Sequence, residues 1–201
     1  MSVVESLRFD QQEIIADIAR LHCEGGAFEC DITYGNGGFW KNGGRPPFRF
    51  DIDPQSEDVT QADSRTLPLP AAAVSSIMFD PPFLTYVRQG REGNGDMVMS
   101  KRFAGYWRYD ELAEHYQSTF VEARRVLRKD GILVLKCQDI IHNHRIHATH
   151  VNAINWAGDR GFRLLDLYVL AAKHRMPSPN RAGVQKHARI HHSYFLVFKA
   201  V

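Results

Sequence analysis

The nine residues Ser75-Ser76-Ile77-Met78-Phe79-Asp80-Pro81-Pro82-Phe83 constrain this chain more than any other stretch. The apolar run reads as a buried strand that delivers a carboxylate to a double proline. Each proline fixes its own φ and turns the residue before it away from helix. Asp80, Pro81 and Pro82 therefore leave the strand extended, and Phe83 follows at a defined position. One carboxylate and two main-chain carbonyls can converge there as acceptors beside an aromatic face. Such a set suits a planar ring that carries an amine. An Asp-Pro-Pro also ends strands in ordinary surface loops, so its meaning rests on the rest of the chain.

Upstream, Asp10 and Glu13 resemble a capping box, and Ile14, Ile18 and Leu21 recur at helical spacing as far as His22. Gly25 and Gly26 stop this helix. Ala27 to Asp31 reads as a strand running into a glycine-rich turn, Ile32-Thr33-Tyr34-Gly35-Asn36-Gly37-Gly38, with a short helix possible at Phe39-Trp40-Lys41. Glycines open backbone angles closed to other residues and let a ligand approach the main chain. Phe48 to Pro54 reads as a second strand ending in acid. In open α/β sheets ligands gather at the carboxyl ends of strands, where an acid after the second strand suits a ribose diol, here Asp51. A third acid, Asp63, precedes Leu67-Pro68-Leu69-Pro70 and can accept from an amino group.

Downstream, Leu84 to Arg108 is a glycine-containing stretch with Lys101 and Arg102 among its cations, and a loop of that length is usually functional or disordered. It is expected to face the substrate. Asp110 is the expected N-cap of a helix with Leu112, Tyr116, Phe120, Ala123 and Leu127 on one face and Gly131 at its end. Ile132 to Lys136 reads as a buried strand. His142 to His150 lacks the ligand patterns of zinc and reads as the start of a helix that runs to Gly158. Phe162 to Leu170 and Ser193 to Lys199 are further strands. Between them Lys173, Arg175, Arg181, Lys186 and Arg189 stand with four histidines and no acid, which is the electrostatic footprint of a phosphate-contacting loop.

At 201 residues and 44% hydrophobic content, the chain can bury one core and is expected to form a single domain over 1–201. Cys23, Cys30 and Cys137 show no paired metal spacing and suit a reducing compartment, and Cys137 reads as a structural thiol. No apolar run is long enough to span a membrane, and no signal-peptide pattern opens the chain, so a cytoplasmic location is expected. With a net charge of only +2, any affinity for polyanions must come from how charges are placed.

Taken in order, the glycine turn, the acid-ended strands and Asp80-Pro81-Pro82-Phe83 resemble the class I S-adenosylmethionine-dependent methyltransferases, specifically the amino-methyltransferases of nucleic acids. The run Phe120 to Gly131 is similar to that family's helix and turn before its fifth strand. The resemblance implies an α/β Rossmann-like fold: a mostly parallel seven-stranded sheet, an antiparallel last strand and helices on both faces. It implies S-adenosyl-L-methionine as cofactor, with Asp31, Thr33, Tyr34, Gly35 and Gly37 around the methionine part, Asp51 on the ribose, Ile52 against adenine, and Asp63 and Ser64 on the adenine edge. Asp80, Pro81, Pro82 and Phe83 would receive the target base. Ile32 and Thr33 stand where the family often has Pro-Phe. With Phe after the prolines and no segment for a target-recognition domain, the pattern looks like the small adenine methyltransferases of phages and prophages, acting in a bacterial host on DNA with low sequence selectivity. Methylation of the cytosine amine in DNA or of the guanine amine in RNA, and a non-catalytic nucleic-acid-binding module, remain open. No metal is implied, and oligomeric state is not legible.

Overall fold

The structure, a computed structural model, describes residues 3–42, 44–85, 106–172 and 185–201. A short strand, β1 (Leu7–Arg8), precedes helix α1 (Gln11–His22), which Asp10 caps by accepting from the Gln12 amide at 2.8 Å. Then come β2 (Cys30–Asp31), β3 (Phe48–Asp51), β4 (Thr60–Gln61) and β5 (Val74–Phe79). Helix α2 (Tyr109–Val126) leads into β6 (Leu127–Cys137), and a hairpin of β7 (Ile140–His142) and β8 (Arg145–His147) precedes α3 (Thr149–Gly158). The chain closes with β9 (Phe162–Ala171) and β10 (His192–Ala200).

The main sheet has eight strands in the order β1-β9-β10-β6-β5-β2-β3-β4. Strand β10 is antiparallel to both β6 and β9, and every other pair in the sheet is parallel. The six strands read from the sequence are present, β4 completes the seven that the resemblance implies, and β1 adds an eighth at the edge. Two residues are too few to show an alternating pattern, which is why β1 was not legible.

Both faces of the central strands are covered, so alternate residues enter different cores. Met78, Ile132, Val134, Phe195 and Val197 pack with Ile14, Ile15 and Ile18 of α1. Ile77, Phe79, Leu133, Leu135, Leu196 and Phe198 pack with Leu112, Tyr116 and Phe120 of α2 and with Ala153 and Ala157 of α3. The short helix expected at Phe39-Trp40-Lys41 is absent; turns run there, and the buried Phe39 and Trp40 rings cover the sheet on the α1 face. Five glycines between residues 35 and 44 favour turns over helix.

Three further expectations change. The N-cap of α2 is Arg108 rather than Asp110, and the Glu111 carboxylate accepts from the Trp107 and Arg108 amides at 2.8 and 3.2 Å. That helix ends before Leu127, so Gly131 lies inside β6, where a Cβ would come within 2.9 Å of the Arg128 carbonyl and 3.2 Å of the Ser75 carbonyl. The helix expected to start at His142 and run to Gly158 begins only at Thr149, and the β7–β8 hairpin occupies its expected first part. Asn143 and His144, both at positive φ (50° and 58°), form the hairpin's two-residue turn, a conformation that asparagine tolerates well. Among the described residues no helix is long and apolar enough to cross a membrane.

Phe120 is fully buried and meets Phe162 and Phe198 edge to face or tilted, whereas its neighbour Val121 is 54% exposed. Phe120→Ala is expected to cost about 3–5 kcal/mol in denaturant unfolding, and Val121→Ala less than about 0.5 kcal/mol.

Candidate active site

The parallel pairing of β2 with β5 puts Cys30 opposite Ile77 and Asp31 opposite Met78. The ladder continues past the strand ends: the Ile32 amide donates to the Met78 carbonyl at 3.1 Å, and the Tyr34 amide to the Phe50 carbonyl at 2.9 Å. The Thr33 hydroxyl then accepts from the Asp80 amide at 2.7 Å. The glycine turn and the Asp-Pro-Pro-Phe segment are thereby joined directly at the carboxyl edge of the sheet.

Asp31 is buried, accepting from the Thr33 amide at 2.9 Å and from the Trp40 indole N–H at 2.7 Å. Burial pushes its carboxyl up to about 7, against these two hydrogen bonds, and the Asp80 and Asp51 carboxylates add to the rise. Gly35 and Gly37 sit at φ 55° and 71°, angles that L side chains rarely adopt. Among the described residues, apart from Gly35 and its two chain neighbours, no atom lies within 4 Å of where a Gly35 Cβ would stand, so the turn presents open space there. A Cβ on Gly37 would come within 2.9 Å of the Tyr34 hydroxyl oxygen. The Asp51 carboxylate accepts from the Gly35 amide at 2.7 Å and from the Asp53 amide at 2.9 Å, tying the glycine turn to the end of β3. Each carboxylate oxygen retains a second lone pair for a hydroxyl donor. The next residue, Ile52, is 66% exposed and offers an apolar surface beside it.

Asp63 lies one strand further along and is held by Arg65, whose Nη2 comes within 2.6 Å; that guanidinium lowers the Asp63 carboxyl to about 2. The Ser64 hydroxyl is buried against α2, 2.8 Å from His115 Nε2 and 3.1 Å from the Thr119 hydroxyl. Burial, followed by the charge of Arg65, pushes the His115 imidazole down to about 4. These two side chains are therefore occupied within the protein.

At the end of β5, the Asp80 carboxylate divides its oxygens. Oδ2 lies 3.6 Å from Lys136 Nζ, while Oδ1 is buried and lacks a hydrogen-bond partner among the described residues. Burial raises the carboxyl above its ordinary range and Lys136 opposes that rise. The Pro82 carbonyl accepts from the Tyr116 hydroxyl at 3.3 Å, which fixes the double proline against α2. Phe83 and Lys136 border a cavity of about 400 Å³ whose lining also includes Gln138, Leu170 and Ser193. Cys137 is fully buried, and its thiol is pushed well above the ordinary range by burial, which suits a structural role.

Of the basic residues expected to meet phosphates, Lys186 and Arg189 are exposed. Lys101, Arg102, Lys173, Arg175 and Arg181 lie outside the described residues, as does most of the loop from Leu84 to Arg108. Among the described residues no group of three or more His, Cys, Asp or Glu is arranged to hold a metal ion. Sequence reasoning missed Trp40, His115 and Lys136 as neighbours of the site. For Lys136 a signal existed: a cation at the end of an otherwise apolar strand, in step with the strand that carries Asp80.

No protein-family model matches this sequence, and no curated protein is similar to it. Solved structures share its fold. The [4+2]-cyclase SpnF superposes with a TM-score of 0.54 at 12% identity, over 94% of this chain and 80% of that one. A chain of the Haloferax volcanii complex between the Trm112 methyltransferase activator and a methyltransferase gives a TM-score of 0.53 at 12% identity, over 87% of this chain and 83% of that one. The fold is that of the class I methyltransferases. A Thermus thermophilus protein described as a DNA modification methylase, solved with S-adenosyl-L-methionine, gives a TM-score of 0.48 at 17% identity, over 76% of this chain and 53% of that one. This chain spans about half the length of that protein. A cyclase among these neighbours means that the fold alone carries no reaction, so function has to be argued from the site.

The raised Asp31 carboxyl gives a test of the site's electrostatics. Its unfolded value is about 3.9 and its folded value about 7, so the folded state binds this proton more tightly. Its contribution to stability is full at low pH and is lost as pH rises from about 4 to about 7. Trp40→Phe removes a donor that favours the ionised form, so the Asp31 titration followed by carboxyl ¹³C NMR is expected to move higher still.

Proposed function

We propose that this chain transfers a methyl group from S-adenosyl-L-methionine to the exocyclic amine of adenine in DNA, with little sequence selectivity, using cofactor and base sites on one domain spanning 1–201. The observation that carries this reading is the buried Asp80 Oδ1, without a hydrogen-bond partner among the described residues, where a rigid double proline leaves β5. A buried acceptor without a donor is costly, and a substrate N–H relieves that cost.

The residues present fit the cofactor. Asp31, Thr33, Tyr34, Gly35 and Gly37 would border its methionine part, with open space at Gly35. Asp51 would accept from the ribose hydroxyls and Ile52 would lie on the adenine ring. Asp63 and Ser64 would border the adenine edge, a role left to their main chain because their side chains are held by Arg65 and by His115 and Thr119. When bound, S-adenosyl-L-methionine supplies an electrophilic methyl on a positively charged sulfur, which takes back the S–C electron pair and leaves as a neutral thioether.

The protein's own work lies on the other side of the transfer. The lone pair of adenine's amine is delocalised into the ring, and accepting N–H bonds at Asp80 Oδ1 and the Pro81 carbonyl favours a localised pair that forms the new N–C bond. The surplus proton of the methylated nitrogen passes to Asp80 or to solvent. No covalent enzyme intermediate is needed, and positioning and electrostatics supply the rate. A base in a duplex is stacked, so it must be flipped out or presented single-stranded, with Phe83 stacking on it beside the 400 Å³ cavity. Lys186 and Arg189, with Lys101, Arg102, Lys173, Arg175 and Arg181, would neutralise phosphates.

Labelled S-adenosyl-L-methionine and unmodified DNA are expected to give N6-methyladenine in many sequence contexts by nucleoside mass spectrometry. Methylcytosine would keep the mechanism and change the base, and label in RNA alone would overturn the DNA assignment. Asp80→Ala is expected to lower turnover about 10²- to 10³-fold while cofactor affinity by calorimetry stays unchanged. Lys186→Gln with Arg189→Gln is expected to weaken DNA binding and to reduce the slope of log affinity against log salt by about 2.

A further inference from the structure

Strand register brings a cation to Asp80. In the β5–β6 pair, Phe79 stands opposite Leu135, so the next residues, Asp80 and Lys136, are neighbours at the carboxyl edge. Ile132 and Val134 face α1, and the two-residue period puts Lys136 on that same face, where Met78 also lies.

The lysine is held in place. Its side chain is only 12% exposed, and Nζ lies 4.8 Å from the centroid of the Phe39 ring and 5.7 Å from that of Phe195. Gln11 Oε1 accepts from Nζ at 3.4 Å. A cation fixed between two rings and a carboxamide is organised before any ligand arrives.

The titratable groups close enough to interact electrostatically with Asp80 come from three elements. From β2, Asp31 adds a carboxyl; from α2, Tyr116 adds a phenol; from β6 come the Cys137 thiol and Lys136. Lys136 is the positively charged member of this set. Burial favours the protonated form of the Asp80 carboxyl, and the Lys136 charge opposes it. A protonated Asp80 is a poorer acceptor for an amine and cannot take its surplus proton.

We infer that Lys136 is a positioning residue: by engaging Asp80 Oδ2 it keeps the carboxylate ionised and leaves Oδ1, without a partner among the described residues, to accept from the amine. This inference rests on the methyl-transfer reading of the site. The amine hydrogen-bonds to Oδ1, the N–C bond forms as the S–C bond breaks, and the released proton finds a carboxylate rather than a carboxylic acid.

Lys136→Met tests it, because methionine keeps an unbranched stem between Phe39 and Phe195 and removes only the charge. Two readouts are compared in the full-length protein. The first is the titration of Asp80 by carboxyl ¹³C NMR without substrate, the resonance being assigned by its loss in Asp80→Asn. The second is the acid limb of the pH profile of single-turnover methyl transfer. Both are expected to move up by about 1–3 pH units in Lys136→Met, with kcat reduced near neutral pH and KM for DNA and cofactor affinity unchanged. Lys136→Arg is expected to restore both, which separates loss of charge from loss of folding.

An Asp80 titration that stays in place in Lys136→Met, or one that moves while the acid limb does not, overturns the inference. Failure of the unaltered protein to methylate any nucleic acid would instead overturn the proposed function. The two failures appear in different proteins and are read separately.

Discussion

The parallel contact between β2 and β5 is the constraint on which the site depends. It is reinforced where the strands end by the Asp80 amide donating to the Thr33 hydroxyl at 2.7 Å. That bond joins a glycine-rich turn, whose backbone angles leave room for a ligand, to a carboxylate carried on two prolines. Proline has no amide with which to continue a ladder, and the Thr33 amide donates to the Asp31 carboxylate rather than to β5. A shift of one residue in this register would move Asp80 to the other face of the sheet and away from Asp31 and Lys136.

The site is also an electrostatic compromise. Asp31, Asp51 and Asp80 come close enough for the latter two to raise the Asp31 carboxyl, and two of the three are buried from water on much of their surface. Three nearby acids would repel one another without donors. Asp51 accepts two amides, Asp31 accepts an amide and an indole N–H, and among the described residues Asp80 has a lysine at Oδ2 and no partner at Oδ1. The asymmetry at Asp80 is what distinguishes it from the other two, whose oxygens already have donors from the chain.

Most of the element order was legible because the central strands are short apolar runs with turn residues at their ends, and because α1 and α2 show apolar residues at helical spacing. The exceptions have local physical causes. The β7–β8 hairpin depends on two non-glycine residues at positive φ, Asn143 and His144, which nothing in a histidine-rich run announces. The short helix that the sequence allowed at Phe39 and Trp40 forms as turns in a glycine-rich stretch, with both rings buried. Gly131 looked like a helix stop and is instead a place where β6 passes too close to the β5 backbone for a side chain.

By itself the sequence determined that the strands would end in Asp31, Asp51 and Asp80, and that prolines would hold the last of these in an extended turn. These are local consequences of composition and backbone stereochemistry. Only the tertiary structure decided which of those carboxylates finds its donors within the chain and which keeps one oxygen without a partner among the described residues. It also decided that Lys136, 56 positions away in the sequence, stands beside Asp80, and that Ser64 turns its hydroxyl to His115. Such pairings depend on register between strands and on packing of helices over the sheet, and no local stretch of residues encodes either.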